Sequence, residues 1–125
     1  WRVYAKESHA NDPGPAQLWV FLDEHPASIN DGAFGFRMPD TTGATASQGW
    51  PDFAAGFHNN SGSFAFLDGH AELHKWVEAV SRGPGGLSSK VASRGALHPG
   101  NIANNQDILW LARRTSALKT GGLPW

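Results

Sequence analysis

Hydrophobic and polar residues alternate in two short runs, Ser63–Leu67 and His70–Trp76, on either side of Asp68-Gly69. Such alternation is typical of half-buried β-strands, and Asp-Gly between the runs predicts a hairpin with a two-residue type I′ turn. This turn would place Phe64 opposite Leu73, so that the aromatic and aliphatic side chains share one face. The apolar face predicted from this register carries Phe64, Phe66, Ala71 and Leu73, and the other face carries Ala65, Leu67, His70, Glu72, His74 and Trp76.

Other runs predict further strands around this hairpin. Trp1–Lys6 alternates, and Ala33–Arg37 is expected to return as a strand after a polar connection. Gln17–Leu22 is the most hydrophobic run and is predicted to be a central strand that is buried on both faces. Met38–Gly49 has no periodicity and predicts an exposed loop, while the long turn-rich segment Val77–Ala103 gives no clear element.

One helix is predicted near the C-terminal end. Asn104 or Asn105 is suited to cap a helix over Gln106–Ser116. The negative charge of Asp107 would interact favourably with the N-terminal end of the helix dipole. Ile108, Leu111, Ala112 and Thr115 then share its apolar face. The expected fold class is α+β: one domain over residues 1–125, with an antiparallel sheet of about four or five strands, a short C-terminal helix and long loops.

Composition narrows the classes of function. The 125 residues carry a formal net charge of −1, with lysines and arginines scattered, which disfavours a nucleic-acid partner. The sequence has no apolar run of the ~20 residues that a membrane-spanning helix needs. Because it has no cysteine, disulfides, thiolate metal sites and cysteine nucleophiles are excluded.

Carboxylate and imidazole groups follow the ends of the predicted strands. Oxygen ligands from Asp23, Asp31 and Asp68 would suit Ca²⁺, which accepts six to eight oxygens in flexible geometry. Alternatively, His70 and His74 would share a strand face and bind Zn²⁺ or Cu²⁺. His58 or His25 would complete that second site.

Each of these residues also has a purely structural explanation. Asp68 and Asp31 each precede a glycine, as turn residues do, and His70 and His74 would then belong to a solvated sheet face. For catalysis the signal is weaker, since Ser28, Ser61 and Ser63 lie near histidines without a nucleophile-elbow pattern. An acid–base pair such as Asp23 and Glu72 is a further alternative.

The six tryptophans raise a third class of function. Trp19 and Trp110 are expected in the core, which leaves Trp50, Trp76 and Trp125 as exposed candidates for stacking on a polysaccharide.

Four segments resemble one family in the same order along the chain. His58 is followed by nine residues and then by Asp68-Gly69, the processing-associated signature of prepilin-type, pseudopilin-like proteins of Verrucomicrobia and Planctomycetes. The four segments that match the family are FLDEHPASINDG (Phe21–Gly32), WPDFAAGFHN (Trp50–Asn59), FLDGHAELHKW (Phe66–Trp76) and DILWLARRTS (Asp107–Ser116).

The resemblance implies a fold and a function. It implies a pseudopilin-like head, a non-enzymatic structural subunit of a type II secretion or type IV pilus-like assembly, located in the periplasm or at the cell surface. Its partners would be other pilin-like subunits or secretion-system proteins, and calcium is known in major pseudopilins. Family members begin with a leader and a long hydrophobic helix; the resemblance covers only the globular part, and membrane contact would come only through such a helix. The alternative is a secreted metal- or glycan-binding protein, or a metal-dependent enzyme, on the same scaffold.

Overall fold

The computed structural model describes residues 1–35, 37–40, 52–78 and 105–119. These residues form a mixed α and β structure. Its elements are the 3₁₀ turns Glu7–His9 and Pro15–Gln17, the strands β1 (Trp19–Leu22), β2 (Ser61–Phe66) and β3 (Ala71–Lys75), and the helix α1 (Gln106–Arg113). The three strands make an antiparallel sheet in the order β1-β2-β3. Within the described ranges, no helix combines the length and the apolar character of a membrane span.

The predicted hairpin exists, but its register is one residue away from the prediction. Phe64 lies opposite Glu72, and Ser63 lies opposite Leu73. Because a shift of one residue moves side chains to the opposite face, Leu73 and Ala71 lie on the other side of the sheet from Phe64. The predicted apolar face that joined them is therefore wrong.

The turn explains the shift. The Phe66 N–H donates to the His70 carbonyl, and the Gly69 N–H donates to the Phe66 carbonyl, so three residues rather than two form the loop. Gly69 has a φ of 92° and Asp68 is not among the residues with positive φ. This pattern is typical of a turn followed by a glycine bulge, not of the type I′ turn, which needs positive φ at two positions.

A two-residue turn of that kind instead precedes β2. Asn59 and Asn60 have φ values of 55° and 61°, and His58 and Ser61 exchange backbone hydrogen bonds across them. Asparagine tolerates left-handed backbone better than most residues, which suits this position. Because of this turn, the preceding residues 52–58 lie beside β2. Within them, Ala54 forms an antiparallel bridge with Glu24, which follows β1.

The core lies between one face of the sheet, residues 53–54 and α1. Its buried side chains are Phe53, Ala54, Phe64, Phe66, Trp76, Ile108 and Leu111, and Trp19, Leu22, Ala27, Phe34 and Trp110 pack against them with partial exposure. Trp19 and Trp110 therefore contact the core, as predicted.

Helix α1 confirms the prediction for this part of the chain. The Asn105 side chain accepts hydrogen bonds from the backbone N–H groups of Asp107 and Ile108, which makes Asn105 the N-cap. Ile108, Leu111 and Ala112 are buried against the sheet. The helix ends at Arg113, three residues before the predicted end.

The other predicted strands differ from the structure. Trp1–Lys6 and the described residues of Ala33–Arg37 form no strand, and β1 lies at an edge of the described sheet, with Val20 and Phe21 exposed. β1 is therefore not a central strand buried on both faces; β2 is the middle strand of the described sheet. Most of Met38–Gly49 and of Val77–Ala103, together with Asn104, lies outside the described residues.

Candidate functional site

The hairpin loop holds two of the candidate ligands in a local pair. The His70 Nδ1 lies 2.6 Å from the Asp68 Oδ1, and the His70 backbone N–H donates to the same oxygen. These hydrogen bonds, chiefly the one to the His70 ring, lower the pKa of the Asp68 carboxyl below its ordinary value of 3.8. The His70 ring also stacks on Phe66, with ring centroids 4.4 Å apart.

A second pair lies at the other end of the sheet. The His58 Nε2 is 3.8 Å from the Asp23 Oδ2, and the Ser63 hydroxyl donates to the same carboxylate oxygen. Both ionisable side chains are about half exposed. Of the serines considered for catalysis, Ser63 thus lies beside a carboxylate and an imidazole, but its hydroxyl bonds to the aspartate and not to the histidine.

His74 lies in a third place, beside α1. Its Nε2 is 3.2 Å from the Oδ1 of the fully buried Asp107, and its ring stacks on Trp110 with ring centroids 3.7 Å apart. The Asp107 carboxylate also accepts the backbone N–H groups of Val77 and Glu78. Asp107 therefore ties the end of β3 to the first turn of the helix, a role that the sequence did not reveal beyond its place near the N-cap.

Asp31 is separate from all three pairs. Its Oδ1 accepts the backbone N–H of Ala33 at 2.8 Å, as a turn aspartate does. Apart from His25, which is described below, the six remaining candidate ligands thus fall into four places. In the described part of the chain, no three histidine, aspartate or glutamate side chains gather around one point.

One of the three tryptophans that were expected to be exposed is buried. Trp76 is 1% exposed, so the expectation that it is exposed is wrong. Its indole packs edge-on against Phe64, and its Nε1–H donates to the Ala55 carbonyl at 2.9 Å. The one-residue shift in register explains this burial, because it places Trp76 on the same side of the sheet as Phe64. Trp50 and Trp125 lie outside the described residues.

A buried polar network that the sequence did not reveal fixes the connection after β1. The Ser28 hydroxyl lies 2.9 Å from the Glu24 Oε1 and accepts the Phe53 N–H at 3.0 Å. The buried His25 accepts the Ala27 N–H at Nδ1, and burial lowers the pKa of His25 below its ordinary value of 6.5. The run of polar residues in FLDEHPAS was the available signal, but nothing in it indicated burial.

The face of the sheet opposite α1 is apolar and exposed. Phe21 is paired with Ala65 and Ala65 with Ala71, so their side chains share this face with Leu73. Phe21 is 75% exposed and Leu73 60% exposed. We call these four residues, Phe21, Ala65, Ala71 and Leu73, the open face.

A groove of about 200 Å³ crosses the open face. Its lining includes Phe21, Ala65 and Ala71, and Asp23 and Ser63 add polar groups. The open face therefore combines apolar area with a polar border, which is the composition of an interaction surface.

Comparisons of the chain with protein-family models, with curated proteins and with solved structures gave no match.

Proposed function

We propose that this chain is a non-enzymatic structural subunit that joins a pilin-like assembly of the type II secretion or type IV pilus kind, through the open face. Its partners would be pilin-like subunits or secretion-system proteins on the periplasmic or outer side of the cell. The proposal includes a pseudopilin-like head with a sheet of four or five strands, of which the described residues supply three. Two features support it: the order of the four family-like segments in the sequence, and the exposed apolar face.

The open face is the structural observation that supports the proposal. α1 covers one side of the sheet, and Phe21 and Leu73 stand exposed on the other side. Large apolar side chains that are grouped on a surface with polar groups around them mark sites of protein contact. An apolar helix from a neighbouring subunit would bury these side chains, at a gain of about 25 cal/mol for each Å² of apolar surface removed from water.

A fractionation experiment tests this proposal. The tagged chain would be expressed in the cells that produce it, and sheared filaments would be pelleted by ultracentrifugation. We expect the chain in the pellet, and we expect Leu73→Arg to move most of it to the supernatant, because a charge would be buried at the contact. Val3→Arg is the matched control, since Val3 is 83% exposed and belongs to no strand of the sheet.

The expected result and the contradicting results differ in the fraction that contains the chain. Circular dichroism would first establish that both variants fold, which the exposure of both positions favours. A wild-type chain that never pellets, or a Leu73→Arg chain that pellets like wild type, would contradict the proposal.

A metal-binding role is the second candidate, favoured by the proximity of Asp23 and His58. Two side chains are fewer than the four ligands usual for structural zinc, so we expect weak binding. Elemental analysis of protein purified without chelator and without a metal-affinity column tests it. Calcium lost in Asp23→Asn, or zinc or copper lost in His58→Asn, would support the role; His70→Asn is the control. Protein that contains no metal as purified and takes up no calcium, zinc or copper in equilibrium dialysis would contradict it.

A further inference from the structure

The small side chains of β2 form a trough along the open face. On this side of the sheet β2 carries Ser61, Ser63 and Ala65. The neighbouring strands carry larger side chains there, Phe21 on β1 and Leu73 on β3. Neighbouring strands lie about 4.8 Å apart, so these two walls are separated by about 9.5 Å. An α-helix with its side chains is about 10 Å across, so a helix laid along β2 would contact both walls.

A carboxylate lies in the same wall as Phe21. Asp23 lines the groove of the open face and follows Phe21 by two residues, so both side chains lie on the same side of the chain, about 6.8 Å apart along it. The Ser63 hydroxyl donates to the Asp23 Oδ2, which agrees with this placement because Ser63 lies on the same side of β2 as Ala65. A partner that fills the groove therefore covers part of the Asp23 side chain.

The described residues approach the Asp23 carboxylate at one of its two oxygens. The Ser63 hydroxyl donates to Oδ2, and the His58 Nε2 lies 3.8 Å from the same atom. Among the described residues, none donates a hydrogen bond to Oδ1. The Asp23 side chain is 51% exposed, so Oδ1 is open to water. A helix that covers this oxygen must supply a donor in place of water, because burial of a carboxylate without one is unfavourable.

We propose that the open face selects a partner helix that carries a lysine or arginine opposite Asp23. The helix lies along β2, an apolar side chain of the helix covers Phe21, and the basic side chain four residues away reaches the Asp23 carboxylate. Four residues rise about 6 Å along a helix, close to the spacing of Phe21 and Asp23. A cation is favoured over a neutral donor because it also compensates the charge that is removed from water.

This inference rests on the proposed function and adds the feature by which the open face recognises its partner. The fractionation experiment described above tests it with further variants, after circular dichroism has established that they fold. Asp23→Asn removes the charge and keeps an oxygen for the Ser63 hydroxyl. We expect it to lower the ratio of pelleted to free chain by up to roughly fivefold. Asp23→Glu keeps the charge and should retain most of the wild-type ratio.

Asp12→Asn is the matched control. The Asp12 side chain is 49% exposed, lies 3.4 Å from the Arg2 guanidinium and belongs to no strand, so this variant removes one comparable charge away from the trough. We expect it to pellet like wild type. EDTA in the buffer excludes a metal bridge through Asp23 as the cause of any difference.

Each other outcome counts against the inference. If Asp23→Asn pellets like wild type while Leu73→Arg stays in the supernatant, the inference is overturned and the assembly stands. Equal losses in Asp23→Asn and Asp12→Asn would indicate an effect of net charge, and equal losses in Asp23→Asn and Asp23→Glu a requirement for shape; either would overturn it. A dimer of the purified chain in size-exclusion chromatography that Leu73→Arg abolishes would also overturn it, because the occupant would be a second copy. A wild-type chain that never pellets contradicts the assembly itself.

Discussion

Three histidines each lie beside one aspartate, but the burial of the pairs differs. His58 with Asp23 and His70 with Asp68 are partly exposed, where water and salt screen the charges and an ion pair adds little to stability. Asp107 is fully buried, and it accepts two backbone N–H groups besides lying beside His74. Loss of a buried acceptor leaves its donors without partners, which costs much more than loss of an exposed pair.

We therefore expect Asp107→Ala to lower the free energy of unfolding by about 1–3 kcal/mol. Urea unfolding followed by tryptophan fluorescence measures this change. Gln106→Ala, an exposed position in the same helical turn, should stay within about 0.5 kcal/mol of wild type. Equal stability of the two variants would show that the link between β3 and α1 through Asp107 contributes nothing.

His25 gives a prediction about pH. Its folded pKa lies below its ordinary value of 6.5, so the unfolded chain takes up a proton that the folded chain resists. The stability contributed by neutral His25 is thus present above pH 6.5 and is lost as the pH falls from 6.5 toward the lowered folded pKa. The loss is limited to about 1.4 kcal/mol for each pH unit.

Urea midpoints at about pH 7.5 and about pH 5.5, on either side of the ordinary pKa of 6.5, measure that loss. In His25→Asn the difference between the two midpoints should shrink, because asparagine keeps an acceptor for the Ala27 N–H without titrating between them. The exposed His9→Asn is the control and should keep the wild-type difference. An unchanged pH dependence in His25→Asn would show that another group causes it.

The elements that could be predicted from the sequence are those that depend on residues close together in the chain. Helix α1 and its Asn105 cap followed from a cap residue and an apolar period, and both depend on neighbours in sequence. The existence of the hairpin followed from alternation, but its register did not. Asp-Gly fits both a two-residue loop and a three-residue loop with a glycine bulge, and the sequence does not distinguish them.

The hairpin loop itself can be tested at Gly69. Because its φ of 92° disfavours side chains, Gly69→Ala should cost about 1–2 kcal/mol, and Gly69→Asn should cost less. Gly14→Ala is the control: its added Cβ meets nothing within 4 Å, and its φ is negative. Thermal unfolding would measure all three variants. A Gly69→Ala variant as stable as Gly14→Ala would contradict the loop geometry.

The shift in register of the hairpin changes which side chains are exposed on the surface of the molecule. The predicted register would have buried Ala71 and Leu73 beside Phe64, whereas the observed register places them with Phe21 on the open face. The candidate metal ligands could be named from the sequence, but their separation into four places could not, because it depends on contacts between residues distant in sequence. The buried network of His25 and Ser28 could not be predicted from the sequence for the same reason.

Site-specific photo-crosslinking is the most direct test of the proposal that the open face contacts a pilin-like subunit. A benzophenone side chain would replace Leu73 in the tagged chain, in the cells that produce it, and mass spectrometry would identify the products after irradiation. Val3, which is more exposed still, is the control position. The account predicts a crosslink from position 73 to the apolar helix of a pilin-like subunit and none from position 3. No product at position 73, or the same products from both positions, would contradict it.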